Sequence, residues 1–341
     1  MKFSPKITPP ITILMMFLLF GCGPAIRLQR LKPAEVNMSA MRRLAILDFD
    51  FSNDKVDSLS DLFVGIIVRS AGLNYGDDYD LRNAASYATD GIYNALKDTN
   101  YFEIVDSVTL ADISQNNSIS TGITRSTDGA DAILTGSLNY TACGRQNFTK
   151  EKIAYDSNKK KEVMVQEPWV RQKCQLTLNY RVSETKNNNL VIKKQFRESR
   201  NQEVSQKNIH NLNEPEYWYR DMINKIIPKI SHQLSPYKIT ETRHLKVDKT
   251  YDSEMKRAET LAKAGNHAKA RDIFLQRWRA TSNPAAGYNA ALLYEVEGDL
   301  EKALKLLGEV ISINSDNTIV REHRNVLKAI EEQRQVKKQL Q

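Results

Sequence analysis

Cys143 and Cys174 are the pair whose residue type and spacing point most directly to chemistry, and that chemistry is a disulfide. Residues Ser157-Asn-Lys-Lys160 read as a turn between Lys152-Ile-Ala-Tyr155 and Glu162-Val-Met-Val165. With the turn centred on Asn158-Lys159, Cys143 and Cys174 are equidistant from it. An unbulged ladder then sets them directly opposite, with α-carbons about 4.5–5.5 Å apart. A bulge at Pro168 would break that register, and the alternative is two buried free thiols. The carboxylates offer less. Asp48 and Asp50, with Asp54 nearby, could gather a cation at a strand end, and Asp77-Asp78-Tyr-Asp80 is a second acidic cluster. Acidic loops and helix starts account for both, since Asp78 or Asp80 makes a natural cap before Leu81. The five histidines stand apart, none with a neighbour at metal-ligand spacing. The chain has no Gly-x-Ser-x-Gly elbow, P-loop, His-Glu-x-x-His helix or dinucleotide fingerprint. The expectation is a protein that is not an enzyme, with no catalytic residue, no metal site and no cofactor.

The third thiol, Cys22, ends a different kind of segment. Lys2 and Lys6 form a basic leader, Ile11 to Phe20 is apolar apart from Thr12, and Gly21 places a small residue before the thiol. The run is shorter than the roughly 20 apolar residues of a spanning helix. It resembles a bacterial lipoprotein signal peptide with the lipobox Leu19-Phe20-Gly21-Cys22. The resemblance implies a signal peptide over 1–21, cleavage before Cys22, and lipidation of Cys22 as a thioether-linked diacylglycerol. Acyl chains at about 0.8 kcal/mol per buried methylene make the bilayer the first partner. Gly23 after Cys22, by the enterobacterial sorting rule, implies the outer membrane, with the body facing the periplasm. In that oxidising envelope Cys143 and Cys174 are the even pair that remains.

Beyond the leader, about 320 residues suffice for two domains with separate cores. Composition is 41% hydrophobic and 26% charged, which excludes a disordered chain. The net charge of +8 favours anionic headgroups or an acidic partner. Nucleic acid is excluded by the compartment, and runs such as Lys159-Lys160-Lys161 and Lys193-Lys194 read as solvated surface.

The elements that must position these residues follow from periodicity. Residues 22–41, with Pro24 and Pro33, read as a tether. Arg43 to Phe51 holds a strand whose Leu44, Ile46 and Leu47 suit burial on both faces. Leu81, Ala84, Ala85, Ala88, Ile92, Ala95 and Leu96 lie at helical spacing. Phe102–Asp106 and Asp131–Tyr140 are further strands. Cys174 to Val182 alternates cleanly, and after Asn187-Asn-Asn189 the segment Leu190–Phe196 is its hairpin partner. A helix from Glu216 to Leu234 closes the domain, with Pro228 expected to kink or divide it. Between the first strand and helix lie about 29 residues, long for such a loop. Leu62 to Val68 within them is either a further core element or an exposed, inserting apolar segment.

The order βαβ, then meander, then helix, predicts an α/β domain with a mixed sheet over 42–236. The strands Arg43–Phe51 and Ala130–Ser137, followed by the long hairpin, resemble the sheet core of curli-secretion lipoproteins, the TolB amino-terminal domain and lipoprotein activators of penicillin-binding proteins. That resemblance implies a partner-binding or ring-assembling fold and no catalysis. The layout is similar to a family of Bacteroidota lipoproteins with a carboxy-terminal repeat pair, a likeness that brings no mechanism with it.

After a linker over 237–250, residues 251–337 carry an internal period. Ala258, Leu261, Gly265, Ala270 and Phe274 recur 33 residues later as Ala291, Tyr294, Gly298, Ala303 and Leu307. The four alanines let paired helices approach, and Gly265 and Gly298 end the first helix of each pair. This resembles tetratricopeptide repeats, with Ser315 where the closing proline is usual, and implies an all-α domain presenting a concave surface to a peptide or protein. Tyr288 and Asn289 fall on the helix that lines such a groove, and Asn289 matches a position that often holds peptide backbone. Lys256 could add a charge on the equivalent helix, and Trp278 reads as core.

The combined expectation is a lipid-anchored, periplasm-facing adaptor that binds an envelope protein or peptide, with homo-oligomerisation left open. The alternative is a subunit of an oligomeric outer-membrane secretion channel, with Leu62 to Val68 meeting lipid.

Overall fold

A computed structural model of the chain describes residues 23–50, 79–105, 129–156, 158, 160–250 and 252–341. Cys22 with the leader, Asp54, Leu62 to Val68 and Asp77-Asp78 lie outside the described residues. The chain divides into two compact units, one of residues 34–237 with 339–341, the other joining the chain up to Pro33 to Lys238–Lys338.

In chain order the elements are β1 (Ala25–Lys32), β2 (Arg43–Ile46), α1 (Tyr79–Lys97), β3 (Glu103–Val105), β4 (Ala132–Asp156), β5 (Lys161–Glu184), β6 (Leu190–Ser205), α2 (Pro215–Leu234) and β7 (Tyr237–His244). Five helices follow: α3 (Ser253–Lys263), α4 (His267–Thr281), α5 (Pro284–Val296), α6 (Leu300–Ile313) and α7 (Asn317–Leu340).

The first unit is a mixed sheet in the order β3-β2-β4-β5-β6. β2 runs parallel to β3 and β4, whereas β4, β5 and β6 are antiparallel. Leu44, Ala45 and Ile46 are all buried, as the apolar run of β2 requires between two parallel neighbours. On β5 the even-numbered residues Cys174, Leu176, Leu178, Tyr180 and Val182 point into the core, where the apolar stripes of α1 and α2 meet them. Tyr180 satisfies its buried hydroxyl by donating to Gln233 Oε1 at 2.6 Å. Of the two expectations at Pro228, a kink or a division, division is excluded: the helix is continuous from Pro215 to Leu234. Proline removes one helical donor, but the buried side chains of Ile223, Ile226, Ile230 and Leu234 on both sides of it hold the rod together.

The β4–β5 ladder keeps one register from Asp156↔Lys161 to Gly144↔Lys173, with Pro168 regularly paired to Thr149. The only irregularity in it lies between Thr141 and Gly144, where two residues of β4, Ala142 and Cys143, face Cys174. Cys174 is buried and disulfide-bonded. The side chain of Cys143 lies outside the described residues.

The second unit is mostly helical, and consecutive helices from α3 to α6 pack on one another. Gly265 and Gly298 follow α3 and α5 with φ of +81° and +85°, the left-handed conformation that ends a helix at least cost for a residue lacking Cβ. Ala258, Ala270, Ala291 and Ala303 are fully buried between helices. The segments read as tether (22–41) and linker (237–250) are corrected here: they contain β1 and β7, which pair as a two-stranded sheet. Their inward positions mix apolar with charged side chains, Ile26, Leu28, Arg30 and Lys32 on β1 against Ile239, Glu241 and Arg243 on β7, so hydrophobic alternation alone does not reveal them.

Gly287 of α5 sits where a Cβ would lie 2.4 Å from Val310 Cγ2 and 2.9 Å from the Trp278 ring. Gly287→Val is expected to destabilise the helical unit by about 1–3 kcal/mol through overpacking, read as a lowered thermal or urea midpoint.

Candidate functional site

The candidate site is in the helical unit, where β1 packs on α3 and α5. Ile26 and Leu245 join the helical core, so the strand pair is seated by ordinary burial at one end. At the other end it is seated by charge. Arg30 pairs with Glu241 and lies 3.4 Å from Glu295 of α5. Arg243 donates to Glu241 at 2.6 Å and to Glu322 of α7 at 3.0 Å, and Lys32 pairs with Glu332 at 2.6 Å. Glu295 and Glu322 are almost wholly buried, at 2% and 4% exposure.

Glu295 has an unusual environment. Neither of its oxygens accepts a well-formed hydrogen bond, the nearest cation being Arg30 at 3.4 Å. Burial, followed by the charge of neighbouring Glu322, pushes its carboxyl from an ordinary value near 4.5 up to about 8, against the pull of Arg30 and Arg243. Glu295 therefore keeps its proton at neutral pH, and the remaining interior charges balance as two guanidinium groups against Glu241 and Glu322.

Beside this network the chain leaving β7 runs across α5, and Asn289 holds it there. The Lys246 N–H donates to Asn289 Oδ1 at 2.7 Å, and Asn289 Nδ2 donates to the Lys246 carbonyl at 3.0 Å. Asn289 is fully buried, and this two-bond clasp satisfies both ends of its amide. The segment Leu245–Thr250 then lines a cleft of about 1010 Å³ together with Tyr288, Arg277 and Arg321. Lys246 Nζ donates to Asp316 at 2.9 Å, and this bond with the Thr318 N–H holds the Asp316 carboxyl down to about 2. Arg277 pairs with Asp252, and Asp248 accepts from Asn283 at 2.9 Å. Tyr288 is 3% exposed, and burial raises its hydroxyl above the ordinary value, so it remains a neutral donor. The arrangement suits hydrogen bonding to an extended main chain.

Of the two residues singled out on this helix, Tyr288 lines the cleft, whereas Asn289 is fully buried and its amide is engaged by the Lys246 backbone. Lys256 is exposed on α3 and does not line the cleft. Trp278 is buried against α5. Sequence reasoning did not single out Arg30, Glu241, Arg243, Glu295 or Glu322. The available signal was the alternation of charged with apolar residues in Ile26-x-Leu-x-Arg-x-Lys32 and Ile239-x-Glu-x-Arg243.

Between about pH 4.5 and pH 8 the folded chain holds the Glu295 proton that the unfolded chain has released, so this group lowers stability as pH rises through that window and adds no further loss above it. Glu295→Gln is expected to remove the slope, up to about 1.4 kcal/mol per pH unit, in urea unfolding measured from pH 5 to 8. An unchanged slope would show that Glu295 ionises normally.

No family model matches the chain, and no curated protein matches it. Among solved structures it is similar to the hypothetical protein CT253 from Chlamydia trachomatis at 11% identity, covering 57% of this chain and 98% of that one, with a TM-score of 0.25. It is also similar to the PelC dodecamer from Paraburkholderia phytofirmans, at 11% identity over 62% of this chain and 98% of that one, TM-score 0.25. The lipoprotein GNA1162 from Neisseria meningitidis matches at 10% identity over 55% and 97%, TM-score 0.17. Likenesses at these scores carry no inference about how this chain works.

Proposed function

We propose that the chain is a lipid-anchored, periplasm-facing protein of the outer membrane that binds a protein or peptide partner without catalysis, using its helical unit as a tetratricopeptide-like groove. The observation that carries the reading is the Asn289 clasp: a buried amide on α5 already holds an extended main chain by both its N–H and its carbonyl. An open cleft of polar and charged side chains adjoins it, where Lys249 and Arg321 could donate to the carbonyls of a second segment. The repeat reading is supported by the matched buried alanines and the two left-handed glycines at the same spacing. Anchoring rests on the lipobox at Cys22, and among the described residues no helix is long and apolar enough to cross a membrane.

Lys249 and Arg321 line the cleft and form no ion pair among the described residues, so they are the groups most available to a ligand. Affinity isolation from crosslinked envelopes, comparing the full chain with a Lys249→Glu, Arg321→Glu variant, tests the proposal. Specific partners recovered with the parent and lost with the variant are expected. Recovery of the same partners by both would remove the cleft from recognition. Recovery only of a large assembly of the chain itself would move the reading to a ring-forming channel subunit.

A further inference from the structure

The helical unit is tied to the start of the chain at the first described residue. The Leu245 N–H donates to the Pro24 carbonyl at 2.9 Å, and His244 Nδ1 lies 3.1 Å from the Gly23 carbonyl oxygen. A Cβ on Gly23 would collide with the Leu245 carbonyl, so Gly23 packs directly on the segment that follows β7. Gly23 also lines the cleft, together with His244, Lys246, Val247 and Lys249. From there β1 runs away through Ala25–Lys32, and Lys32 pairs with Glu332 of α7 at 2.6 Å. At about 3.3 Å per residue, β1 alone sets Lys32 roughly 23 Å from Ala25.

Cys22 is one peptide bond from Gly23, which sets their α-carbons about 3.8 Å apart. Acyl chains on the Cys22 thiol seat that residue at the boundary between headgroups and hydrocarbon. Gly23, pinned to the helical unit, then holds part of the cleft's lining at the membrane surface with no free linker between. The charges of the cleft narrow what it can receive there. Its carboxylates are engaged, Asp252 by Arg277, Asp316 by Lys246, and Asp248 by Asn283 and Thr250. Lys249 and Arg321 form no ion pair among the described residues, and Arg277 Nε is buried without a hydrogen-bond partner. The donors left over are cationic, the chemistry that takes a carboxylate.

We infer that the cleft is held at the bilayer surface and receives an acidic, extended segment of a second membrane-anchored protein, the stretch that directly follows that protein's own anchor. This rests on the reading of Cys22 as the lipid anchor and of the cleft as the recognition site, and it adds where the cleft is held and hence what reaches it. A segment rooted in the same bilayer arrives within its first few residues, since five extended residues span up to about 17 Å. Confinement of both molecules to one surface acts as a linker does, raising the encounter concentration without any new contact. Carboxylates on the segment answer Lys249, Arg321 and the free Nε of Arg277.

The experiment uses the full lipidated chain in phosphatidylcholine vesicles that carry a nitroxide-headgroup lipid. A fluorophore is placed at Val247→Cys, in the cleft beside Gly23, or at Lys328→Cys on α7, both exposed positions. Quenching of about twofold or more at Val247→Cys, with little at Lys328→Cys, is expected. The same chain without nitroxide lipid is then titrated with the peptide Glu-Ser-Glu-Ser-Glu, either free or attached to a phosphatidylethanolamine in the vesicle, and read by the Val247→Cys fluorophore. Half-saturation at about tenfold or more lower peptide is expected for the attached form, and its loss on Lys249→Glu with Arg321→Glu. Equal quenching at the two positions, or equal binding of free and attached peptide, would overturn the inference and leave the cleft as a recognition site for soluble partners. Binding of the attached peptide unchanged by the Lys249→Glu, Arg321→Glu variant would overturn it together with the recognition reading.

Discussion

Two guanidinium groups that cannot lose their charge, Arg30 and Arg243, point from the strand pair into the interior of the helical unit, and much of that unit is arranged around the need to answer them. A buried cation costs several kcal/mol unless carboxylates and hydrogen bonds compensate it. The helices supply Glu295 and Glu322, and β7 supplies Glu241 between the two arginines. Three carboxylates against two guanidinium groups would leave one negative charge uncompensated. The excess is removed by protonation of Glu295, the most deeply buried of the three and the one whose oxygens accept no hydrogen bond. The network thus tells little about net stability and much about specificity: only β1 and β7 together, in this register, bring the right charges to α5 and α7.

The same economy governs the neutral polar groups. Asn289 on a fully buried helix would be an expensive residue without partners for its amide. The backbone of Lys246 provides both partners, and in doing so fixes where the chain passes after β7 and hence where the wall of the cleft stands. The open cleft beside this contact is polar and mostly ion-paired.

The sheet unit solves a different problem. Its core face is apolar and closed by α1 and α2, whereas the far end of the β4–β5 ribbon, beyond β6, carries mostly exposed side chains. Alternation then decides what each strand shows outward, and on β5 and β6 it shows polar and charged side chains. A residue slip in register would exchange Leu176, Leu178 and Tyr180 for Gln175, Thr177 and Asn179, so the buried face and the polar face enforce each other.

By itself the sequence determined what depends on near neighbours. The stripes of α1 and α2, the alternation of β5, the left-handed Gly265 and Gly298, the buried alanines of the repeat and the β4–β5 register up to Gly144↔Lys173 all follow from spacing, because turns, helix ends and pleats are set by a few consecutive residues. Placement of Asn289 and Tyr288 on one helix was legible for the same reason. Tertiary structure alone decided that residues near 25–32 pair with residues near 237–244, that the inward side of this pair is charged, and that Asn289 closes on Lys246. It also decided that the continuous α2 survives Pro228. These outcomes rest on contacts between residues remote in the chain, where a charged position reads as surface until its partner is brought to it, and where burial, not residue type, sets whether Glu295 carries a proton.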